Sequence, residues 1–318
     1  MQYRIDKKSG NKLSILGFGC MKLPNDVLKA DIQKAENLII ESVGKGVNYF
    51  DSAYVYPASE IILGQTLRKY NLRERVYIAA KFPLTLAHNY SDFDKYFNIQ
   101  LERLGTDYID YYSMHVLSDQ GQWKELCSLG IEEWIAEKKA SGQIKRMGFS
   151  FHGQAEDFSN LLDMYDWDFC QIQYNYVNEN DQAGVTGLKK AASKGLPVFV
   201  VEPLLGGKLA TSLPEKARKV FRETDNTLSP ASWAFRWIWN HPEVTVALSV
   251  MEHSDQLDEN LDTARSSSPN MLSENELLAI DEVIEIVIEI FNESYEMPFW
   301  NKTTASLSGV FKRITSKD

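Results

Sequence analysis

An α/β fold of the closed (β/α)8 kind, a TIM barrel, is what this sequence predicts, and three observations predict it. Eight short β-branched or aromatic runs alternate with longer stretches of helical period, at the spacing a βα unit needs. The runs are near-continuously apolar rather than alternating, as strands buried on both faces of a parallel sheet are. No linker or low-complexity break interrupts the series, and 318 residues hold one barrel of about 250 core residues plus insertions. A doubly wound open sheet is the runner-up, weakened because no run is followed by the G-x-G-x-x-G fingerprint of a dinucleotide domain.

In chain order, YRID and KLSI flank the turn KKSGNK and read as a hairpin that caps the barrel. SILGFG is the first barrel strand. The helix DIQKAENLIIESVGKG follows, with Asp31 as its N-cap and a close on Gly44 and Gly46. Strand VNYFDSA then leads to helix SEIILGQTLRKYN, and VYIAAKF to YSDFDKYFNIQLERLG. IDYYSMHV leads through a longer loop to IEEWIAEKKASG. KRMGFSF precedes AEDFSNLLDMYD, and FCQIQYN precedes VTGLKKAASKG. PVFVVEP opens a long insertion; SPASWAFRWIWNHP, VTVALSV and SDQLDENLDTAR complete the series. One domain spans 1–318, with the barrel core at about 14–265 and a C-terminal helix and tail over 270–318. That helix, LSENELLAIDEVIEIVIEIFNES, is amphipathic and is expected to pack across the outside of the barrel.

Composition narrows the partners. A formal charge of −10 argues against a general nucleic-acid binder, which shows a basic face. Cys20, Cys127 and Cys170 are odd in number and lack a CxxC spacing, so reduced thiols in a cytoplasmic protein are expected, not a disulfide framework or zinc site. MQYRIDKKSG has no apolar core of a signal peptide, and no stretch approaches the ~18–20 apolar residues of a membrane span. Oligomeric state is not readable.

In such barrels the chemistry sits at the C-terminal strand ends. NYFDSAYVY ends a strand on Asp51 and places Tyr56 in its loop; AAKFP ends on Lys81, and SMHV on His115. Taken singly, each of these polar residues reads more readily as a strand end reaching solvent or a satisfied core group. Together they converge on one mouth. A phenol, with pKa ~10, stays protonated at neutral pH and can give its proton to a developing alkoxide. An ammonium beside it would lower its pKa, a carboxylate would hold that ammonium, and a neutral imidazole would orient a carbonyl oxygen. The group suits hydride delivery to a carbonyl, and no metal set accompanies it.

The segments LGFGCMKL, NYFDSAYVY, AAKFP, DYYSMHV, GFSFHG, QIQYNY, EPLLGGKL and SDQLDENL, in this order, resemble those of the aldo-keto reductase superfamily. The resemblance implies Tyr56 as general acid, Lys81 and Asp51 tuning it, and His115 positioning the substrate carbonyl. It also implies NADH or NADPH bound at the mouth. Ser150 and Gln171 would hold the carboxamide, and Pro203, Leu204, Gly206 and Lys208 would lie over the pyrophosphate. Met21, Val201, Val250 and Gln256 would flank the cofactor, and Glu259 and Asn260 would meet the adenine edge. Many members place Asn after the carboxamide serine, where Phe151 and His152 stand here, and Tyr or Trp at Val201, to stack on the nicotinamide. Some relatives with a similar EPLxGGKL segment carry a C-terminal cysteine-rich iron–sulfur module; this tail has no cysteine, so none is expected.

The segment from Ser249 to Asn260 holds Glu252, Asp255, Asp258 and Glu259 and no Lys or Arg, which favours NADH or dual use. Lys208, Lys312 or Arg313 are the bases that would offset it. Met21, Tyr54, Phe82, His88, Trp123, Phe299 and Trp300 are the expected pocket walls, favouring a largely apolar carbonyl or alcohol. Two other readings stand beside the reductase: a Schiff-base aldolase using Lys81, and a cofactor-binding regulatory protein with a vestigial tetrad.

Overall fold

The structure, a computed structural model, describes residues 1–23 and 29–293. Strands β1 (Tyr3–Ile5) and β2 (Lys12–Ser14) pair antiparallel as the expected hairpin. Eight parallel strands then close a barrel: β3 (Leu16–Gly19), β4 (Tyr49–Asp51), β5 (Tyr77–Phe82), β6 (Ile109–Leu117), β7 (Ile144–Phe151), β8 (Phe169–Gln173), β9 (Val198–Val201) and β10 (Val244–Ser249). β10 closes the ring by pairing with both β9 and β3.

The helices surround it in sequence: α1 (Lys29–Gly44), α2 (Pro57–Lys69), α3 (Tyr90–Leu104), α4 (Gln120–Ser128), α5 (Ile131–Ala140), α6 (Ala155–Met164), α7 (Gly184–Ser193), α8 (Lys208–Thr211), α9 (Glu215–Thr224), α10 (Pro230–Asn240), α11 (Ser254–Ser266) and α12 (Glu274–Glu293). Helix α1 starts at Lys29, so Asp31 is not its N-cap but an acid in its first turn, where it meets the positive end of the helix dipole. The longer loop after β6 contains α4, whose N-cap Asp119 accepts from Gln122 N. The insertion after β9 contains α8 and α9, and α12 packs against α9.

Strand alternation explains why the apolar runs are continuous. Phe50, Ile78, Ala80, Tyr112, Phe149, Cys170, Val200 and Ala247 pack outward with the helices in one buried cluster. Tyr49, Ala79, Tyr111, Phe169, Phe199, Val246 and Leu248, each one residue out of phase, form a second cluster inside the ring. The hairpin stoppers its lower end. Leu13 joins the inner cluster, and buried Asp6 accepts from the Tyr111 hydroxyl at 2.8 Å. The aromatic floor thus fills the barrel from below, and only the upper end is left for chemistry.

Candidate active site

The next inward positions above that floor turn polar. Two residues beyond Tyr49 on β4 stands Asp51; two beyond Ala79 on β5, Lys81; two beyond Tyr111 on β6, Ser113; two beyond Phe169 on β8, Gln171. Their shared register brings them together. Buried Lys81 donates to Asp51 Oδ1 and, at 3.1 Å, to the Ser52 carbonyl. Gln171 Nε2 donates to Asp51 Oδ2 at 3.0 Å, so both carboxylate oxygens are engaged.

His115 reaches the same place through a break in the ladder. Pairing of β6 with β7 shifts register between Met114 and Leu117, and Val116 has φ 61°. A branched side chain in the left-handed region costs roughly 1–2 kcal/mol. The Val116 N–H is satisfied there by Ser150 Oγ at 2.9 Å. Such a bulge re-aims its side chains. The His115 ring lies 6.3 Å from the Tyr56 ring, edge-on at 76°. Tyr56 itself stands at the entry to α2, its carbonyl accepting from Ser59 Oγ at 2.8 Å.

The electrostatics agree with the expectation for His115 and correct the one for Tyr56. Burial, followed by the charges of Lys81 and His152, pushes His115 well below the ordinary histidine range, so it is neutral. Tyr56 is pushed up, not down: burial comes first, then Asp51 and Glu202. The ammonium of Lys81 is committed to Asp51 and Ser52, and what Tyr56 feels is the low dielectric and two carboxylates.

The implied cofactor residues fall into three groups. Ser150 and Gln171 lie at the base of the mouth, buried to 2% exposure, and Val201 packs on the inner cluster. Pro203, Leu204, Gly206 and Lys208 form two tight turns, with Leu205 N donating to the Glu202 carbonyl at 3.0 Å and Gly207 N to that of Leu204 at 3.0 Å. Gly206 and Gly207 have φ of 66° and 93°, and a Cβ on either would meet no atom within 4 Å. That open, backbone-lined shelf fits a phosphate-bearing ligand. At the far edge, Val250 lies against Gly19 and Met21 is 43% exposed. Glu259 is exposed, whereas Gln256 accepts from Glu252 N at 2.8 Å. Asn260 is buried and donates to Ser249 Oγ at 3.0 Å, which spends its amide on joining α11 to β10.

The expected apolar walls are depleted. Phe82 and Trp123 are 0% and 1% exposed and belong to the helix–sheet core, Trp123 lying 4.7 Å from the Trp167 ring. His88 is exposed, and Tyr54 lies beneath the Arg103 guanidinium at 4.6 Å. Phe299, Trp300, Lys312 and Arg313 lie outside the described residues.

Sequence reasoning passed over Glu202. It follows the end of β9 with φ 53°, and its Oε2 is buried with no hydrogen-bond partner among the described residues. Burial pushes its carboxyl up, and Lys208 pulls it down. The strand-end rule that singled out Asp51 and Lys81 would have found it. Glu60, Gln100 and Arg103, also passed over, sit behind Lys81 and give no such signal, because they lie on helices.

An eight-stranded barrel with a phenol, a neutral imidazole and a lysine–carboxylate pair at its upper mouth brings together groups able to exchange a proton with a small molecule. A family model for the aldo/keto reductase family matches residues 15–285, and the chain belongs to that family. It is an NAD(P)H-dependent oxidoreductase. The chain is 26% identical over 238 residues to an NADH-specific methylglyoxal reductase of Escherichia coli (strain K12), covering 65% of this chain and 70% of that protein. Among solved structures, an aldo-keto reductase from Bacillus halodurans in its holo form superposes with a TM-score of 0.73. It is 24% identical, and the match covers 89% of this chain and 96% of that one. A Klebsiella pneumoniae aldo-keto reductase in complex with NADPH gives 0.72 at 22% identity, covering 89% and 95%. These two likenesses show the fold.

Proposed function

We propose that the protein reduces an aldehyde or ketone to an alcohol, or runs the reverse, with Tyr56 as the proton donor. The observation that carries this is the convergence of Tyr56, neutral His115 and the Lys81–Asp51 pair on one mouth above an aromatic floor. The Pro203–Lys208 shelf would hold the pyrophosphate of a nicotinamide coenzyme, which when bound would supply the hydride. His115 donates a hydrogen bond that fixes the carbonyl oxygen. Tyr56 gives its proton to that oxygen as it gains charge, and the buried surroundings exclude water from the transfer. Lys81, bonded to the Ser52 carbonyl, holds Asp51 in place from one side, and Gln171 fixes it from the other. The aldolase reading loses ground here, because Lys81 is buried with its Nζ bonded to Asp51 and the Ser52 carbonyl rather than open to a carbonyl carbon.

Coenzyme choice follows from charges around the 249–260 segment. Lys22 pairs with Glu252 at 3.2 Å, and Lys45 from the end of α1 pairs with Asp258. Two of its four acids are therefore matched by lysines from other elements, and repulsion of a ribose 2′-phosphate is milder than the segment alone suggests. We favour NADH or use of both coenzymes, with a carbonyl or alcohol as substrate in the cytoplasm. No described helix is long and apolar enough to cross a membrane.

The test is NADH and NADPH oxidation against a carbonyl panel, for the native protein and Tyr56→Phe. Loss of the donor should lower the reduction rate at least ~10²-fold with coenzyme binding retained. A near-native rate in the variant removes Tyr56 from the mechanism. A kcat/KM with NADPH more than about ten-fold (~1.4 kcal/mol) above NADH overturns the coenzyme preference.

A further inference from the structure

Behind the site lies a polar network that the reaction does not use directly. Glu60, on α2, has a side chain wholly removed from solvent. Its Oε1 accepts from Gln100 Nε2 at 2.6 Å and its Oε2 from Arg103 Nη1 at 3.0 Å, both donors on α3. Each donor has a second acceptor in the site's own backbone. Gln100 Nε2 reaches the Lys81 carbonyl at 3.3 Å, and Arg103 Nη1 the Tyr54 carbonyl at 2.9 Å. The Tyr112 hydroxyl locks the far side of Gln100 at 2.7 Å.

Packing α2 on α3 needs no charge, since a buried ion pair is often no more stable than apolar residues of the same volume. What this one does is hold both ends of a backbone link in the site: the Lys81 carbonyl, which already accepts from Tyr54 N at 3.3 Å, gains Gln100 as a second donor, and the Tyr54 carbonyl accepts from Arg103. A network with every member satisfied is rigid. We propose that Glu60 and Arg103, with Gln100, are positioning residues that fix the backbone of Tyr54 and Lys81 relative to each other, and so hold Tyr56 in reach of a carbonyl oxygen. This rests on the proposed carbonyl reduction at the same mouth.

The variants are Arg103→Met, Arg103→Lys and Glu60→Gln in the full chain, read by kcat, carbonyl KM, coenzyme Kd from fluorescence titration, and Tm. In Arg103→Met, kcat is expected to fall 10- to 100-fold while KM and Kd stay within about three-fold, because neither residue touches a ligand. Arg103→Lys should recover part of kcat. Should Arg103→Met fail to fold, the near-isosteric Glu60→Gln is read in its place, with the same expectation. A folded variant with lowered Tm but native kcat overturns the proposal and leaves carbonyl reduction standing. If the native protein turns over no carbonyl with either coenzyme, the functional reading fails instead. Amide exchange at Tyr54–Tyr56 then decides the anchoring: faster in Glu60→Gln supports it, unchanged overturns it.

Discussion

Lys81 illustrates how far one side chain commits the site. It is 5% exposed and makes its bonds to Asp51 and Ser52, so removing its charge strands a buried carboxylate. Lys81→Met should abolish carbonyl reduction and cost roughly 3–5 kcal/mol of stability, the usual loss on breaking a buried pair. A stable variant with native rate would show the lysine to be structural ballast. Tyr56 gives a prediction of opposite character. Burial and two carboxylates raise its pKa, so the donor stays protonated through the whole range from pH 6 to 10, and its proton is lost only as pH rises through the raised value. The rate of reduction should therefore show no alkaline limb from Tyr56 below pH 10. A limb centred near pH 8 that disappears in Tyr56→Phe would contradict this.

At the scale of elements, the close approach of α2 to α3 turns on Gly64. A Cβ built there would lie 2.3 Å from the Leu104 carbonyl oxygen and 2.6 Å from its Cα, both backbone. Gly→Ala in a helix interior ordinarily stabilises by about 1 kcal/mol. Here the sign should reverse, with Gly64→Ala losing about 1–3 kcal/mol by overpacking and disturbing the Glu60–Arg103 network beside it. A raised midpoint of urea unfolding would refute the account. The strands were legible because burial on both faces leaves a continuous apolar run. The bulge at Val116 was not, since a branched residue carries no signal for a left-handed backbone. Helix α4 did leave a signal, in Ser118, Asp119 and Gln122: Asp119 accepts from Gln122 N at 3.0 Å while Gln122 Oε1 accepts from Ser118 N at 2.8 Å. Helix α9 follows the strand-end motif inside what reads as one insertion, and its apolar face is matched by α12.

The whole molecule buries imidazoles that its unfolded chain would expose. Burial lowers His115, His152 and His241, the second to about 4. Below the unfolded value of ~6.5 the unfolded chain takes up protons that the folded chain refuses. Stability from these groups is present above pH 6.5 and is lost as pH falls toward the lower folded values. His152→Gln should flatten the fall of Tm between pH 6.5 and 4.5. An unchanged slope would mean that carboxylates alone set it.

The sequence by itself determined the closed barrel, the capping hairpin and the convergence of Asp51, Tyr56, Lys81 and His115, because period-2 patterning and strand-end position are local properties that survive without coordinates. The tertiary structure alone decided which way the phenol's pKa moves, since that depends on burial and on Glu202 reaching it across the mouth. It also decided that Phe82 and Trp123 belong to the core, and that Lys22 and Lys45 meet the acidic 249–260 segment. These are contacts between residues far apart in the chain, and no local pattern encodes which side chains a closed ring will bring together.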